Sequence, residues 1–508
     1  METRGKEAAA LALHRFGFGP SLGASLGASV GTSLETSLGT NLGANAGASP
    51  GHERAAYSIA AIAGDPRGAL LSDLDRPNAG YLAVKLPSSG AAARAISDYR
   101  AEEQAKSKLA QRAKKEAEAN GMAASANDAA TPTPSKPAET PLPQQIFQNE
   151  AAARYEAAVE ADIGFVERLV WFWSNHFCIS ADKDIAMVGA YEREAIRAHA
   201  LGHFADMLHA VESHTAMLYY LDNVRSMGAN SVAGINGDKG LNENLAREIL
   251  ELHTLGVRSG YSQADVTSFA NVLTGWTSTD AADPAHGGEF LFNKRLHEPG
   301  QQTVLGKFYA GAGVDQGRAV LADLARHTAT AQHVAQKLAC HFIADTPPPP
   351  LVAKLAKSFM DSDGNLKTVA KTLVTAEEAW VPARTKLKRP SEWIVAMLRL
   401  TGERWNANSP FNIGRVLSVQ ATLGESLWRP PAPNGWLDTE AAWIDGVPHR
   451  LDIANELAGR LPNADPAALL ESGLGPLAST HTRQTIAHAE SRTQALALLL
   501  MAPEFLRR

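Results

Sequence analysis

Residues 242–256 read Asn-Glu-Asn-Leu-Ala-Arg-Glu-Ile-Leu-Glu-Leu-His-Thr-Leu-Gly, and this stretch decides the fold class. Small or apolar residues recur in it at the spacing of a helix: Leu245, Ile249, Leu252 and Gly256. The spacing predicts one α-helix that ends at Gly256, because glycine is common just after a helix C-terminus. The same pattern returns along most of the chain from residue 145 onward, so helices are expected to dominate.

A polar stripe lies beside the apolar one. At about 100° per residue, Asn244, Glu248 and Glu251 share that stripe. Two carboxylates one turn apart suit a hard cation, or a pairing of a protonated acid with an ionised base. They equally suit a solvated helix face on which Arg247 forms ion pairs, so both interpretations stay open. His253 falls about 200° from Glu251, so this helix alone does not bring it to the glutamates.

The composition is ordinary for a soluble protein with a large core. The chain has 508 residues, of which 45% are hydrophobic and 20% are charged. Its net charge is −6 with no single-sign block, which argues against nucleic-acid binding. No apolar run approaches about 20 residues, so no membrane span is expected. Residues 1–15 lack the apolar segment of a signal peptide, which predicts a cytoplasmic chain, or an exported one if a leader has been removed.

Two low-complexity insertions interrupt the pattern. Residues 21–51 repeat tetrads such as Ser-Leu-Gly-Ala, and residues 120–144 are rich in Ala, Pro and Thr. Neither offers an apolar stripe, so both are predicted to be disordered. Residues 99–119 carry mixed charge and predict an exposed helix.

The remaining chain predicts a mainly all-α fold: one large multi-helix domain with a small β-hairpin. Helical periodicity is clear at 195–210, 262–274, 331–342, 390–400 and 485–501. Residues 289–293 are the best candidate strand. Trp173 is predicted to be core, with His176 one turn later facing the interior. Cys178 and Cys340 sit among apolar residues and predict buried free thiols.

Several histidines are candidates for chemistry. His199 and His203 have the i,i+4 spacing that can bind one metal ion, but the glutamate of a zincin motif is replaced by Ala200. A surface or core pair is therefore favoured over a metal site. His297 follows the candidate strand in a polar loop, where it is either catalytic or a turn residue.

Candidate binding residues follow apolar segments or glycines. Asp222 and Asn223 end an apolar run, where they either cap the next turn or line a cleft. Trp276 and Trp436 both follow glycine. Tryptophans in such loops stack on sugar rings or fasten loops to a helical core, and the sequence does not separate these uses.

Taken together, the motifs of this chain resemble those of the large bacterial family of domain of unknown function 1800. They occur in the order 13–20, 173–177, 199–202, 220–223, 242–256, 273–276, His297 with 305–306, and 429–436. The resemblance implies a single, mostly helical domain and directs attention to Glu248, Glu251, His176 and His297. Members often carry export signals and are often encoded beside a sulfatase-like family. This implies envelope or polysaccharide biology.

The leading hypothesis is a hydrolase-like enzyme that acts on a carbohydrate or another envelope-derived polymer. A glutamate acts as general acid or base, with His176 or His297 assisting it. The hypothesis gives catalytic roles to Glu248, Glu251, His176 and His297, and substrate binding to Asp222, Asn223, Asn244, Trp276 and Trp436. One alternative is a non-catalytic scaffold that works with an exported sulfatase-like partner. The other is a metal or haem protein built on the histidines, although the sequence identifies no cofactor.

Overall fold

The structure is a computed structural model that describes residues 2–21, 58–119, 140–237, 240–381, 383–404 and 412–508. Beyond Ser21, the predicted insertion at 21–51 lies outside the described residues, and so does the second one from 120 to 139. A helix begins at Leu142, so residues 142–144, which were assigned to that insertion, are helical. Proline is tolerated in the first turn of a helix, which is why composition placed the boundary too late.

The mainly helical fold class is confirmed. In the first half the helices are α1 Glu2–Arg15, α2 Ile59–Ile62, α3 Pro66–Asp75, α4 Ser89–Ala119, α5 Leu142–Glu160, α6 Phe165–His176, α7 Val188–Tyr191, α8 Phe204–Glu212, α9 Thr215–Tyr220, α10 Asn244–Glu248 and α11 Gln263–Leu273. In the second half they are α12 Val314–Ala325, α13 Thr328–Phe342, α14 Pro349–Asp361, α15 Leu366–Thr375, α16 Pro390–Thr401, α17 Ile413–Thr422, α18 Val447–Arg460, α19 Pro466–Gly473, α20 Thr480–Ala487, α21 Arg492–Leu500 and α22 Pro503–Leu506.

Short 3₁₀ turns join several helices, and two π turns, Glu192–Ile196 and Ile249–His253, continue α7 and α10. The 3₁₀ turns are Arg197–His199, Asn223–Arg225, Gly234–Asn236, Glu377–Trp380, Glu440–Ala442, Ile444–Gly446 and Gly475–Leu477. The predicted exposed helix at 99–119 is the second part of α4, and its side chains from 101 to 116 are exposed.

The small β element is also confirmed. Strands β1 Trp276–Ser278 and β2 Phe290–Phe292 pair antiparallel, with Trp276 opposite Phe292. Strands β3 Gln302–Val304 and β4 Lys307–Tyr309 form a second antiparallel pair. The candidate strand at 289–293 is therefore β2, and its partner is the strand that begins at Trp276.

Helix α6 carries the centre of the core. Every residue of this helix except Asn175 is buried. Trp173 packs against Phe172, Phe177 and Phe204. The prediction that Trp173 is core, with His176 facing the interior, is confirmed because both are about 1% exposed. A carboxylate from α3, Asp73, accepts hydrogen bonds from the first two amides of α6 and so satisfies that helix start.

The stretch at 242–256 departs from the predicted continuous α-helix. Helix α10 ends at Glu248, and the next five residues form a π turn. A π turn joins residues i and i+5, so its hydrogen bonds enclose one residue more than those of an α-turn. Gly256 then takes a left-handed φ of +91°, and a Cβ there would lie 3.0 Å from His333 Nδ1. The helical segment thus ends at Gly256 as predicted. The side chains of the π turn and the residues after it, however, lie on other faces than a continuous α-helix would give them.

None of the described helices combines the length and the apolar composition that crossing a bilayer takes.

Candidate functional site

Polar side chains from five separate segments meet where α6 ends. They are His176, Cys178, Glu212, Tyr220, Glu248, His253, His333 and Lys337, here called the polar cluster. His176, Cys178, Glu212 and His253 are buried, whereas Tyr220, Glu248, His333 and Lys337 are half-buried. A buried polar floor with a partly exposed rim is the arrangement expected of a reactive site.

A buried histidine–carboxylate pair forms the floor. His253 Nδ1 donates to Glu212 Oε1 at 2.7 Å, and each side chain is at most 1% exposed. The second carboxylate oxygen, Glu212 Oε2, has no hydrogen-bond partner among the described residues. Because Nδ1 carries the proton of this bond, Nε2 of a neutral His253 is left as a proton acceptor.

Glu248 lies one π turn before His253. The π turn changes the angle between these two residues, and the charge of His253 acts on the Glu248 carboxyl, which corrects the expectation that this helix does not bring His253 to Glu248. Burial raises the pKa of the Glu248 carboxyl, and the negative charge of Glu251 raises it further, while His253 opposes the shift. Within the described ranges no hydrogen-bond donor reaches this carboxylate. Such a carboxyl group keeps its proton to higher pH than an exposed one.

His176 joins the cluster through the backbone. Its Nε2 lies 3.1 Å from the carbonyl oxygen of His253, to which it donates, and its Nδ1 is buried without a partner in the described part of the chain. Burial holds the pKa of His176 well below its ordinary value, so the ring is neutral. The rings of His176 and His253 are 6.4 Å apart.

Helix α13 contributes the opposite wall with two basic residues four positions apart. His333 Nε2 donates to the carbonyl oxygen of Leu252 at 3.1 Å, and its ring lies 5.9 Å from that of His176. Burial lowers the pKa of His333 to about 4. Burial also lowers the pKa of Lys337 to about 8, and no acceptor among the described residues is within hydrogen-bond distance of its ammonium group.

The loop at 429–436, which ends at Trp436, contacts the polar cluster at Cys178. The Cys178 thiol donates to the carbonyl oxygen of Pro433 at 3.1 Å, and burial raises its pKa to about 12. The predicted buried free thiol is confirmed for Cys178, whereas Cys340 is only half-buried. Asn175 forms two hydrogen bonds to the backbone of Trp436, which is half-buried against Trp443.

The tyrosine of the rim lies on the Glu248 side of the cluster. Burial raises the pKa of Tyr220 well above its ordinary value, and the charges of Cys178 and Glu248 add to this effect. Glu251 lies outside the cluster and accepts a hydrogen bond from Tyr261 at 3.0 Å. Of the two predicted glutamates, Glu248 is therefore the one that faces the histidines.

Other predicted residues meet at a second place, a packed corner formed by Asn223, Trp276 and His297. The Asn223 amide is buried and donates to the carbonyl oxygens of Leu273 and Trp276. Trp276 is fully buried, so its ring is not available to stack on a sugar. His297 Nδ1 lies 2.9 Å from the carbonyl oxygen of Thr274. These side chains fasten loops to the core instead of reaching the cluster.

Asp222 and Asn244 lie outside the polar cluster. Asp222 forms an exposed ion pair with Lys183 at 3.1 Å, and Asn244 is exposed at the start of α10. The i,i+4 pair His199 and His203 is not on one helix, because α8 begins only at Phe204. In the part of the chain that the structure describes, no three His, Cys, Asp or Glu side chains are placed to hold one metal ion.

The sequence did not identify Glu212, Tyr220, His253, His333 or Lys337. For His333 and Lys337 a signal existed, because two basic residues four apart lie beside the apolar stripe of α13. For Glu212 no local pattern exists, since its partner is 41 residues away. For His253 the angular argument assumed an α-helix where the chain forms a π turn.

The match to known proteins covers nearly the whole chain but gives no activity. Residues 11–507 match the family described as protein of unknown function, DUF1800. No curated protein and no solved structure matches the chain. The polar cluster is formed by segments within the matched range, including the 173–177, 220–223 and 242–256 motifs. The chain belongs to the DUF1800 family of proteins of unknown function.

Proposed function

We propose that this chain is a hydrolase-type enzyme that uses the polar cluster for acid–base chemistry. The observation that carries the proposal is the arrangement of Glu248 and His253, one π turn apart, with Glu212 bound to the far ring nitrogen of the histidine. A carboxyl group with a raised pKa and a carboxylate-oriented histidine are the two partners that hydrolysis of a C–O bond needs.

The environment of each group supports a separate role for it in this proposal. Glu248 is the general acid, because burial raises its pKa and favours the protonated form. His253 is the general base through Nε2, because the Glu212 carboxylate holds Nδ1–H and stabilises the imidazolium that forms.

The proposed reaction balances with one water molecule. The C–O bond of the substrate breaks as Glu248 gives its proton to the leaving oxygen. Water attacks the carbon atom and passes a proton to His253 Nε2. A proton then moves from His253 back to Glu248 through solvent, which restores both groups for the next turnover.

The proposed substrate is a carbohydrate or another envelope-derived polymer. Trp436 is the aromatic side chain that supports this choice, because it is half-buried and its loop packs on Cys178 in the cluster. A ring that is partly exposed beside a polar floor suits stacking on a sugar. Trp276 has no part in the proposal, since it is fully buried.

The scaffold alternative has less support. It calls for a contiguous exposed apolar patch. The exposed large apolar side chains include one close pair, Val232 and Ile235, and others on separate segments, for example Tyr81, Leu109, Phe308 and Leu437. The metal or haem alternative calls for converging ligands, and the described histidines of the cluster are bound instead to a carboxylate or to backbone carbonyl oxygens.

A hydrolysis screen with matched variants tests the proposal. Wild type, Glu248→Gln and His253→Gln are incubated with a panel of bacterial polysaccharides, and release of reducing ends is measured. We expect each variant to lose on the order of 10²–10⁴-fold in rate, the usual contribution of a general acid or base. The control is Glu102→Gln, which removes an exposed carboxylate from α4. Hydrolysis at the wild-type rate by Glu248→Gln, with its melting temperature unchanged, would contradict the proposal.

A further inference from the structure

Two histidines from other helices hold the end of the π turn Ile249–His253. The last carbonyl oxygens of a helix have no amide of that helix to accept from. His333, on α13, donates from Nε2 to the carbonyl oxygen of Leu252 at 3.1 Å. His176, at the end of α6, donates from Nε2 to the carbonyl oxygen of His253 at 3.1 Å. The carbonyl groups of the last two residues of the turn are therefore bound by side chains from outside it.

Packing restricts the rotation of both rings. The His176 ring lies edge-on to Phe177, with 4.4 Å between the ring centroids. Phe177 also lies edge-on to the His253 ring at 5.3 Å, so one aromatic ring packs against both histidines. The His333 ring lies against Gly256, where a Cβ atom would come within 3.0 Å of Nδ1. Each donor is thus kept in place by a neighbour as well as by its hydrogen bond.

His176 exposes no nitrogen to a substrate. The residue is about 1% exposed, Nε2 is bound to the His253 carbonyl oxygen, and Nδ1 is buried. Burial keeps this ring and that of His333 neutral, because it holds the pKa of each below its ordinary value. Neutral donors hold the turn without adding positive charge beside a ring that has to accept a proton. These contacts favour a positioning use of His176 over the catalytic role expected from the sequence.

The backbone and the ring of His253 are held from two sides. Its carbonyl oxygen accepts from His176, and its Nδ1 donates to Glu212 at 2.7 Å. Glu212 fixes which ring nitrogen carries the proton, but the ring still follows any movement of the backbone to which it is attached. His176 and His333 oppose such movement, because each binds a carbonyl group of the same turn. Orientation matters, since a misplacement of about 1 Å can cost on the order of 100-fold in rate.

We propose that His176 and His333 are positioning residues: they fix the end of the π turn so that Nε2 of His253 keeps the orientation in which it accepts a proton. The inference rests on the proposed hydrolase function for its effect on the rate. Its effect on the orientation of His253 is measurable without a substrate.

Side-chain nitrogen NMR of protein with isotope-labelled histidine tests the orientation. The proteins are wild type, His176→Phe, which keeps a ring but removes the donor, and His176→Gln, which places an N–H donor near the position of Nε2. A spectrum of His253→Gln identifies the His253 signals by their absence. We expect wild type to show His253 as one tautomer, protonated at Nδ1. His176→Phe should show a mixture of both tautomers, and His176→Gln should restore the single one.

Two further variants separate positioning from stability. His333→Phe should also mix the tautomers of His253, but less, because its hydrogen bond is to the neighbouring residue Leu252. The control is His14→Phe, which removes a buried hydrogen bond from Nε2 to the carbonyl oxygen of Gly473. It should lower the melting temperature as well, but leave His253 as one tautomer. If His176→Phe does not fold, His333→Phe carries the test.

Kinetics on the polysaccharide that wild type hydrolyses fastest test the effect on the rate. His176→Phe should lower kcat by about 10–100-fold and change KM by less than about threefold, because the loss is in orientation and not in substrate binding. His176→Gln should recover most of the rate, and His14→Phe should keep the wild-type kcat.

The inference is overturned if wild type itself shows a mixture of His253 tautomers, or if His176→Phe and His333→Phe both leave a single one. It is also overturned if His14→Phe mixes the tautomers as much as they do. A wild type that hydrolyses no polysaccharide, with the expected tautomers in every variant, contradicts the proposed function and supports the positioning. Hydrolysis by wild type with an unchanged His253 signal in both variants of the turn has the reverse meaning.

Discussion

The two π turns in the described part of the chain each connect a glutamate to a basic residue five positions later, but the two glutamates differ in their hydrogen bonding. In the first turn, Glu192 lies five residues before Arg197 and forms an ion pair with it at 3.3 Å. Arg154, Ser174 and the Trp428 indole also donate to Glu192, so the buried carboxylate is fully hydrogen-bonded. Burial alone would raise the pKa of Glu192, but Arg154 and Arg197 hold it below its ordinary value.

In the second turn, Glu248 lies five residues before His253, and its carboxylate receives no hydrogen bond from the described residues. His253 and Arg247 offset the effect of burial only in part there, and the pKa of Glu248 is raised. The same kind of turn thus carries a fully hydrogen-bonded, ionised carboxylate at Glu192 and a carboxyl group without a hydrogen-bond donor at Glu248. The difference supports the proposal that the second turn carries the chemistry, because perturbed and unpaired groups concentrate at functional sites.

The largest expected change in the free energy of unfolding comes from a substitution at Glu192, in the first π turn. Glu192→Gln keeps the shape of the side chain but leaves Arg154 buried without its carboxylate and Arg197 with Glu167 alone. Breaking a buried ion pair in this way should lower the free energy of unfolding by about 3–5 kcal/mol. Urea denaturation measures the change, with Glu102→Gln as an exposed control. A loss below about 1 kcal/mol would show that the network contributes little to stability and would remove the contrast between the turns.

A smaller effect is expected at the packed corner. Asn223→Ala removes the two hydrogen bonds to the carbonyl oxygens of Leu273 and Trp276 and leaves those oxygens buried without a donor. The free energy of unfolding should fall by about 1–3 kcal/mol. The exposed Asn244 is the matched control, since Asn244→Ala should change stability by less than about 0.5 kcal/mol. Equal effects of the two substitutions would mean that Asn223 does not fasten the corner.

The smallest expected change in the stability of the protein comes from a substitution at Glu248, beside the second π turn. The pKa of Glu248 is higher in the folded chain than in the unfolded one, so its ionisation opposes folding once the pH exceeds the unfolded value. Glu248→Gln should therefore raise stability at pH 7 by a few tenths of a kcal/mol, because solvent screens a half-buried group. The gain should vanish below about pH 4, where both states are protonated. A loss of stability at pH 7 would show that the carboxylate is structural, like Glu192.

The sequence predicted the fold more completely than the site. Apolar periodicity identified the α6 core around Trp173 and the strand at Phe290–Phe292, because burial imposes that spacing locally. It also selected Glu248 and His176, two members of the polar cluster. It did not place His253, since a π turn leaves the apolar pattern almost unchanged while moving each later side chain around the helix. Glu212 was missed because only a tertiary contact, 41 residues along the chain, brings it to the cluster.

The π turn at Ile249–His253 acts as a one-residue insertion within an otherwise α-helical segment. In a regular α-helix Glu248 and His253, five residues apart, would be separated by about 140° around the axis. Deletion of one residue between them would leave them four apart, a spacing that keeps two side chains on one helical face. Insertion of a further residue, and not deletion, is therefore the change in chain length that would separate the two side chains while the flanking helix stays amphipathic.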